Sequence, residues 1–372
     1  MKKVLFVANI AKHIIRFHLP YLKWFQENGY ETHVAANGSE SIPYCDVQYN
    51  LPIQRNPFSF KNISIHFELK KIIESNHFQI VHGHTPMGGV LARTASITAR
   101  KNGTKVLYTA HGFHFYKGSS ALNWILYYPV EKYLSKYTDA IITINKEDYE
   151  LTVNKHFKAN SLYQINGIGI DTSRFMHVDL TKKEEIRIKN SFHKDDFILL
   201  YVAELISRKN HKFIIESTLS LIKEIPNIKI LFAGRGVLTE QLKELINNLQ
   251  LANSIFFLGF RNDVDELIVM SDVGISASKQ EGLGLNLAEE MICGLPVVAS
   301  VDRGHKEMVI HGENGFLFEQ NNSQEFVKYI SYLYHNPNKK NEMGVNACNS
   351  IQKFKLENSM EAMSRIYRSF FD

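Results

Sequence analysis

Short, almost continuous apolar runs recur along the chain, and longer segments with helical periodicity separate them. The runs are KVLFVA, THVAA, QIVHGH, KVLYTA and AIITI in the first half, and FILLYVA, IKILFAG, SIFFLG, DVGISAS and PVVAS in the second. The helix-period segments include 87–101, 119–137, 211–224, 238–249 and 285–293. Buried strands that alternate with helices are typical of parallel sheets covered on both faces. The pattern therefore predicts an α/β fold with doubly wound parallel sheets.

The pattern occurs twice, which predicts two Rossmann-like domains in the 372 residues. We place the first domain at 1–172 and the second at 173–355, because the stretch 179–196 is polar and lacks strand character. Residues 356–372 carry an apolar helical stripe with no strand after it, so we expect a C-terminal helix that packs on the first domain. Two open sheets that face each other would leave a cleft between them for ligands.

The charge is unevenly distributed along the chain. Residues 1–180 carry 20 Lys and Arg against 13 Asp and Glu, a net charge of +7, whereas the whole chain has +5. A basic half indicates an anionic partner, such as a phosphate or an anionic membrane face, or simply a solvated surface. No known nucleic-acid-binding motif accompanies the charge, so we expect no nucleic acid partner.

Three cysteines lie far apart, at Cys45, Cys293 and Cys348, which favours a reduced, cytoplasmic compartment. The opening MKKVLFVANIAKHIIRF loses its apolar character at Lys12 and His13, so it predicts a first strand rather than a signal peptide. No apolar stretch reaches the roughly 18 residues that span a bilayer. Any membrane association would therefore be peripheral.

Two segments of the first half mix aromatic residues with lysines, at 56–75 and 119–137. In the second segment, Trp124, Tyr127, Tyr128, Lys132 and Lys136 suit the headgroup level of an anionic inner-membrane surface. An ordinary core helix with solvated lysines explains the same pattern, and both interpretations stay open.

The segment SKQEGLGLNLAEEMICGLPVVAS, at 278–300, predicts a strand-to-helix loop at the carboxyl end of a sheet. Gly294 and Pro296 end the helix, as a C-terminal glycine followed by proline should. Gly282 and Gly284 would let backbone N–H groups approach a ligand closely, and a helix N-terminus favours an anion. The loop therefore predicts a phosphate site.

Glu281 and Glu289 bracket this loop and stand eight residues apart. Eight helical residues span about 12 Å, so the two carboxylates should hold different parts of one extended ligand. Carboxylates repel phosphate and accept hydrogen bonds from hydroxyls, which suits a sugar nucleotide. Alternatively, Glu281 is a solvated loop residue and Glu289 an exposed helix residue.

Other candidate sites are weaker. His82, His84, His111 and His114 follow strands and could hold a metal, but no carboxylate or cysteine completes a ligand set, so we expect none. The sequence Asp-Val-Asp at 263–265 resembles a metal-binding motif, and an N-cap with acidic residues in the first helical turn explains it without metal. A nicotinamide site would need a G-x-G-x-x-G motif after the first strand, and none is present there.

Glu281-x7-Glu289 resembles the donor-site signature of the family 4 glycosyltransferases, which are retaining enzymes of the two-domain GT-B fold. The further matches are YTAHGFHF (108–115), NGIGIDTSRF (166–175), FLGFRNDVDELIVMSDV (257–273) and RGHKEMVIHGENGFLF (303–318). The forms HGFHFYKG and RGHKE are most similar to the bacterial capsule and exopolysaccharide branch.

The resemblance implies roles for the residues of the loop and helix. Glu281 would hold hydroxyls of the transferred sugar, and Glu289 those of the ribose. The backbone N–H groups of Gly284, Leu285 and Asn286 would hold the distal phosphate.

It also implies roles outside that segment. Lys209 would neutralise the diphosphate, Arg261 would lie beside the nucleotide base, and His111 would face the sugar from the first domain. The family usually has an arginine where this chain has Glu204, and Arg208 is the candidate to replace it. The first loop, ANIAKHIIRFH, lacks the paired glycines that the family usually carries there.

We therefore predict a retaining, metal-independent glycosyltransferase without cofactor that moves a hexose or N-acetylhexosamine from a UDP-sugar to a lipid-linked saccharide. The alternatives are an enzyme similar to a UDP-N-acetylglucosamine 2-epimerase and a catalytically silent nucleotide-sugar binding protein.

Overall fold

The computed structural model describes residues 2–172, 175 and 182–371. The chain divides into two compact units, one made of residues 1–168 with 357–372 and the other of residues 169–356. Each unit contains a parallel sheet, so the predicted α/β fold with two doubly wound, Rossmann-like sheets is confirmed. The predicted domain boundary at 172 and 173 touches residues outside the described part of the chain, and it stays a prediction.

Seven parallel strands build the sheet of the first unit. They are β1 (Lys2–Ile10), β2 (Tyr30–Asn37), β3 (Val47–Asn50), β4 (Ile80–His84), β5 (Lys105–Ala110), β6 (Ala140–Thr143) and β7 (Ser161–Gln164). Their order in the sheet is β3-β2-β1-β4-β5-β6-β7, so the strand order reverses between β1 and β4. Ligands of open α/β sheets bind beside the carboxyl ends of strands at such a reversal.

Helices cover both faces of this sheet. They are α1 (Ala11–Phe17), α2 (Leu19–Glu27), α3 (Lys61–Asn76), α4 (Pro86–Ala95), α5 (Ile97–Lys101), α6 (Ala121–Leu134) and α7 (Lys146–Asn154). The apolar faces of α3 and α4 pack on β1, β2 and β4 in one buried cluster. The central strands are apolar on both faces because helices cover them on both sides.

Six parallel strands build the sheet of the second unit. They are β8 (Phe197–Val202), β9 (Ile228–Ala233), β10 (Ile255–Gly259), β11 (Val273–Ser276), β12 (Val297–Ser300) and β13 (Gly315–Phe318). Their order is β10-β9-β8-β11-β12-β13, so the reversal lies between β8 and β11.

The helices of the second unit lie before β8, in the connections between its strands and in the segment after β13. They are α8 (Lys183–Lys189), α9 (His211–Glu224), α10 (Thr239–Asn248), α11 (Val264–Met270), α12 (Leu285–Ile292), α13 (Arg303–Lys306), α14 (Ser323–His335) and α15 (Pro337–Ser350). A 3₁₀ turn at Ser207–Lys209 precedes α9. The two helices that matter most for the site, α12 and α13, follow β11 and β12.

The last helix, α16 (Leu356–Arg368), packs on the first unit. Tyr367 is the main contact: its hydroxyl lies 2.9 Å from His82 Nδ1, and its ring packs on Trp24 and Phe25. Within the described residues, we find no helix that is both long and apolar enough to cross a membrane.

Candidate active site

The carboxyl edge of the second sheet brings together two loops that lie far apart in sequence. Strands β8 and β11 are neighbours, although two other strands separate them along the chain. The loop after β8 carries Arg208 and Lys209, and the loop after β11 carries Glu281. Because the two loops leave the sheet at the point where strand order reverses, their side chains can meet in one site.

Glu281 lies between two cations at this edge. Its side chain is 10% exposed; Lys209 Nζ lies 2.5 Å from Oε1, and Arg208 Nη1 lies 3.3 Å from Oε2. Burial alone would raise the pKa of Glu281, but the positive charges of Lys209 and Arg208 outweigh it, and the pKa falls to about 2. Glu281 is therefore a buried carboxylate that is ionised at neutral pH.

Both cations are held in place by further hydrogen bonds. Arg208 Nη1 donates to the carbonyl oxygen of Gln280 over 2.6 Å, and the Tyr201 hydroxyl donates to the carbonyl oxygen of Lys209 over 2.8 Å. Glu204, which stands where the resemblance expects an arginine, is exposed. The structure thus brings together Glu281, Lys209 and Arg208, and Arg208 supplies the second positive charge at this point.

Helix α12 begins beside this cluster and leaves its first backbone N–H groups open. Gly284 is its N-cap at φ +94°, and no side chain caps the helix. Leu285 and Asn286 are the first helical residues, so their N–H groups have no acceptor within the helix. A Cβ on Gly284 would lie 3.1 Å from His305 Cδ2, which together with the positive φ favours glycine. The half-buried Gly282 lies in the same loop.

Helix α13 supports this loop from behind. Arg303 Nε donates to the carbonyl oxygen of Glu281 over 3.3 Å, and Asp302 caps the helix by accepting from Gly304 N over 2.8 Å. A Cβ on Gly304 would lie 2.8 Å from the backbone nitrogen of Leu283, so the two segments approach as closely as glycine allows. The RGHKE motif therefore fixes the shape of the loop.

The two neighbouring glutamates of α12 differ in their surroundings. Glu289 is half-buried on the second helical turn, whereas Glu290 is fully buried. Neither carboxylate oxygen of Glu290 has a hydrogen-bond partner among the described residues, and burial raises the pKa of Glu290 well above its usual value, with a further contribution from Glu289. Of the pair, only Glu289 is accessible to a ligand.

A cavity of about 500 Å³ lies at the carboxyl ends of β8, β9 and β10. Its lining includes Leu205, Gly234, Arg235, Gly236, Val237, Phe257 and Gly259. A Cβ on Gly234 or Gly236 would overlap the carbonyl oxygen of Ala203 or Leu205, so only glycine permits this backbone approach. The volume is within the range of small-molecule sites, about 300–1,000 Å³. This cavity is not among the sites predicted above, although Gly-Arg-Gly directly after a buried strand is a sequence signal for it.

Arg261, expected beside the nucleotide base, follows β10 and forms a bidentate pair with Asp263, with distances of 2.7 and 2.5 Å. The sequence predicts Asn262 or Asp263 as the N-cap of a helix. Asp263 does occupy the N-cap position of α11, but its carboxylate binds Arg261 and does not cap the helix. The hydrogen bond from Arg261 lowers the pKa of Asp263.

In the first unit, two of the four histidines selected from the sequence make other contacts. His82 lies within hydrogen-bond distance of Tyr367 and of Thr109 Oγ1, and the ring of His114 stacks on Tyr127 at 4.6 Å. The other two, His84 and His111, lie in a group with His13 and His18, which the sequence analysis did not select. His13 and His18 both follow β1 in the sequence, so the position of His13 three residues after that strand was an available signal.

Comparison with known proteins decides the family. The family model "Glycosyl transferases group 1" matches residues 182–350, and "Glycosyl transferase 4-like" matches residues 3–145. EpsD of Bacillus subtilis (strain 168), a protein named as a glycosyltransferase, is 44% identical over 371 residues, which cover 100% of this chain and 97% of EpsD. The chain belongs to the family 4 glycosyltransferases.

Other relatives agree with this assignment. This glycosyltransferase is 27% identical over 281 residues to the Escherichia coli UDP-Gal:alpha-D-GlcNAc-diphosphoundecaprenol alpha-1,3-galactosyltransferase, covering 74% of the chain and 71% of that enzyme. Anabaena HepE, solved in complex with UDP and glucose, superimposes with a TM-score of 0.81 at 21% identity, covering 99% of this chain and 100% of that one. WaaG, a glycosyltransferase of lipopolysaccharide biosynthesis, gives a TM-score of 0.75 at 16% identity over 98% of this chain and 99% of that one. The fold is GT-B.

Proposed function

We propose that this glycosyltransferase moves a hexose or N-acetylhexosamine from a UDP-sugar to a lipid-linked saccharide in capsule or exopolysaccharide synthesis, with retention of the anomeric configuration. One observation carries the proposal: the ionised, buried Glu281 is held by Lys209 and Arg208 beside the open N-terminus of α12. This arrangement offers acceptors for sugar hydroxyls and, next to them, donors and positive charge for a diphosphate.

The diphosphate leaving group would be stabilised by electrostatics alone. Negative charge develops on it as the sugar departs, and Lys209 with the backbone N–H groups of Gly284, Leu285 and Asn286 would stabilise that charge. Arg208 provides the second cation. These groups need no metal ion to balance the leaving group, which is the basis for a metal-independent transfer.

Glu281 would act on the sugar. Its carboxylate accepts hydrogen bonds from sugar hydroxyls, and its negative charge favours an oxocarbenium-like sugar over the neutral donor. We assign no protein nucleophile: the acceptor hydroxyl would enter on the face that the diphosphate leaves. Because Lys209 contacts Glu281 and would also contact the diphosphate, it would couple recognition of the sugar to that of the leaving group.

The nucleoside would occupy the cavity lined by Gly234, Gly236 and Phe257, with Glu289 accepting from the ribose hydroxyls. Arg261 lies after β10, at the same edge of the sheet, and its pair with Asp263 would hold the guanidinium near the base. In the first unit, His111 follows β5 at the carboxyl edge of the sheet, and we propose it as the residue of that unit that contacts the transferred sugar.

The identity of donor and acceptor is supported by relatives. HepE was solved with UDP and with UDP-glucose, and the name of the E. coli relative specifies UDP-galactose and an undecaprenyl-diphosphate-linked sugar. A lipid-linked acceptor lies at a membrane, so an enzyme that uses it benefits from a surface that binds lipid.

The candidate for such a surface lies on α6 and near the start of α3. Ile125 is 69% exposed on α6, Leu122 and Val130 of the same helix are also exposed, and Phe60 before α3 is 86% exposed. Exposed apolar side chains with nearby Lys117 and Lys136 suit an anionic membrane face. We propose that the protein associates peripherally with such a face.

The aromatic residues expected to contact lipid are placed differently. Trp124, Tyr127 and Tyr128 pack against the buried cluster of Phe113 and Phe115. The exposed side of α6 is mainly aliphatic, and we propose that this side contacts the membrane.

Product analysis with the purified chain tests the proposed activity. We expect UDP release and a glycosylated product only when UDP-sugar and a lipid-linked saccharide are both present. Release of a free epimerised sugar from the donor alone would indicate a 2-epimerase, and tight UDP-sugar binding without any product would indicate a silent binding protein. Either result would reject the transferase proposal.

Substitution of Glu281 tests the site. Glu281→Gln should lower kcat by about 100-fold or more, because a preorganised charge in an active site contributes on the order of 100–1,000-fold. Glu216→Gln is the matched control, since Glu216 is exposed on α9 and pairs with Lys212. Equal turnover by the Glu281 and Glu216 variants would rule out the role proposed for Glu281.

A further inference from the structure

Four imidazoles meet at the carboxyl edge of the first sheet, where strand order reverses between β1 and β4. His13 lies on α1, which follows β1 directly, and His18 lies between α1 and α2. His84 ends β4, and His111 follows β5, the next strand. The topology thus gathers histidines from three separate segments at the place where an open sheet binds ligands.

The distances within this group are short. His13 Nε2 and His18 Nε2 are 3.3 Å apart, and the ring centroids of His13 and His111 are 4.8 Å apart. One ring nitrogen from each of His13, His18 and His111 lies within 4.8 Å of the other two. His84 stacks behind His18, with a centroid distance of 3.8 Å.

Several nitrogens of the group are buried without a partner. Among the described residues, His18 Nδ1, His111 Nε2 and both nitrogens of His84 have no hydrogen-bond partner. An unsatisfied buried polar atom costs about 1–3 kcal/mol, so several together are unusual. Aliphatic side chains could fill the same space without this cost, so packing alone does not explain the four histidines.

We propose that His13, His18 and His111 bind one Zn²⁺ ion. Tetrahedral zinc with Zn–N distances of about 2.0–2.1 Å places its nitrogen ligands about 3.3–3.4 Å apart. The separation of His13 and His18 already has this value. His13 and His111 are half-buried and His18 is buried, so the group lies at the margin of the core.

The three nitrogen ligands determine which metal ions the site would prefer. Three imidazoles without a carboxylate suit Zn²⁺ and, in competition, Cu²⁺, Ni²⁺ or Co²⁺, whereas Mg²⁺, Ca²⁺ and Mn²⁺ prefer oxygen ligands. Three protein ligands leave a fourth position, which water or an anionic oxygen would take. One ring nitrogen of His111 suffices to bind the metal, and the other remains for the proposed contact with the transferred sugar. The site belongs to the first unit, and the metal-independent handling of the diphosphate in the second unit is a separate proposal.

Cobalt titration of the full chain tests the site. Protein without a histidine tag is stripped with a chelator and titrated with Co²⁺, whose visible d–d bands report tetrahedral nitrogen coordination; Zn²⁺ then displaces it. We expect one metal per chain by elemental analysis. Zn²⁺ should also raise the melting temperature followed by the fluorescence of Trp24 and Trp124, which both lie in the first unit.

Variants identify the ligands. His13→Ala, His18→Ala and His111→Ala should each weaken Co²⁺ binding by more than the roughly 10–100-fold that loss of an outer-sphere partner costs. His193→Ala, at an exposed position of the second unit, is the control and should bind as the parent does. Equal affinity in the control and the three variants would overturn the proposal.

The spectrum of the parent protein keeps the test decisive if a variant fails to fold. Absence of bound metal, an octahedral spectrum, or a thiolate charge-transfer band from Cys45 would each overturn the three-histidine site. A tetrahedral spectrum without thiolate bands, at one metal per chain, would support it.

Discussion

Two buried carboxylates of the second unit, Glu281 and Asp272, stay ionised because cations surround them. For each, burial would raise the pKa, and neighbouring positive charges lower it to about 2. They differ in what else surrounds them. Both residues are 7% exposed, but Glu281 lies in the loop that leads into the open N-terminus of α12, whereas Asp272 contacts three cations and the backbone N–H of Ile198. The first suits binding and the second stability.

Asp272 provides a prediction about acid stability. Its carboxylate contacts Arg187 at 2.7 Å, Lys183 at 2.8 Å and Lys340 at 3.2 Å, and it accepts from Ile198 N. The folded-state pKa of Asp272 is about 2, and the unfolded value is about 3.9. Asp272 therefore contributes about 2–3 kcal/mol to the free energy of unfolding above pH 4, and this contribution is lost as the pH falls through about 2.

Asp272→Asn should therefore lower the free energy of unfolding of the second unit by about 3–5 kcal/mol at pH 7, because it leaves buried cations unpaired. The substitution should also flatten the decline of the free energy of unfolding between pH 4 and pH 2. Urea-dependent hydrogen exchange in β8 and β11 measures both. Asp195→Asn, at an exposed position, is the control, and an equal effect of the two substitutions would contradict the prediction.

At the scale of elements, the exposed side of α6 defines the membrane prediction. Leu122→Glu with Ile125→Glu should abolish flotation of the protein with anionic liposomes at low salt, because the double variant puts charge on the apolar side that would enter the lipid interface. Val345→Glu changes a similarly exposed apolar residue on α15 and should leave flotation unchanged. Failure of the parent to float, or flotation of the double variant, would remove the membrane proposal.

The central elements could be predicted from the sequence, and the edge strands of the first sheet could not. Strands such as β1 and β8 are buried on both faces, so their residues are almost all apolar and the pattern identifies them. The edge strands β3 and β7 are half-exposed and only four residues long, with the polar sequences VQYN and SLYQ. Their pairing depends on the neighbouring strand and not on a pattern of their own.

The candidate site could be predicted in part. Glu281 and the glycine loop stand in one continuous motif, and Lys209 and Arg208 were selected through the resemblance. The sequence does not reveal that Lys209 and Arg208 pair with Glu281, because a reversal of strand order brings residues about 70 positions apart together. The sequence pattern for α6 also could not decide that Trp124 packs inward while Ile125 faces solvent.

For the molecule as a whole, charge and chemistry are divided between the two units. The first 180 residues carry the net positive charge, which suits attraction to an anionic surface over a distance of about one Debye length. The remainder is nearly neutral, so it would hold a diphosphate through a few oriented groups at the end of α12. Capture of the acceptor would therefore weaken with rising salt more than donor binding does.

A crystal structure of the full chain with UDP would test the proposed donor site. It should show the distal phosphate about 3 Å from the backbone nitrogens of Gly284–Asn286 and from Lys209 Nζ, with the uracil in the cavity lined by Gly234 and Phe257. Well-ordered UDP bound elsewhere on the protein, without contact to Lys209 or to the N-terminus of α12, would contradict the assignment.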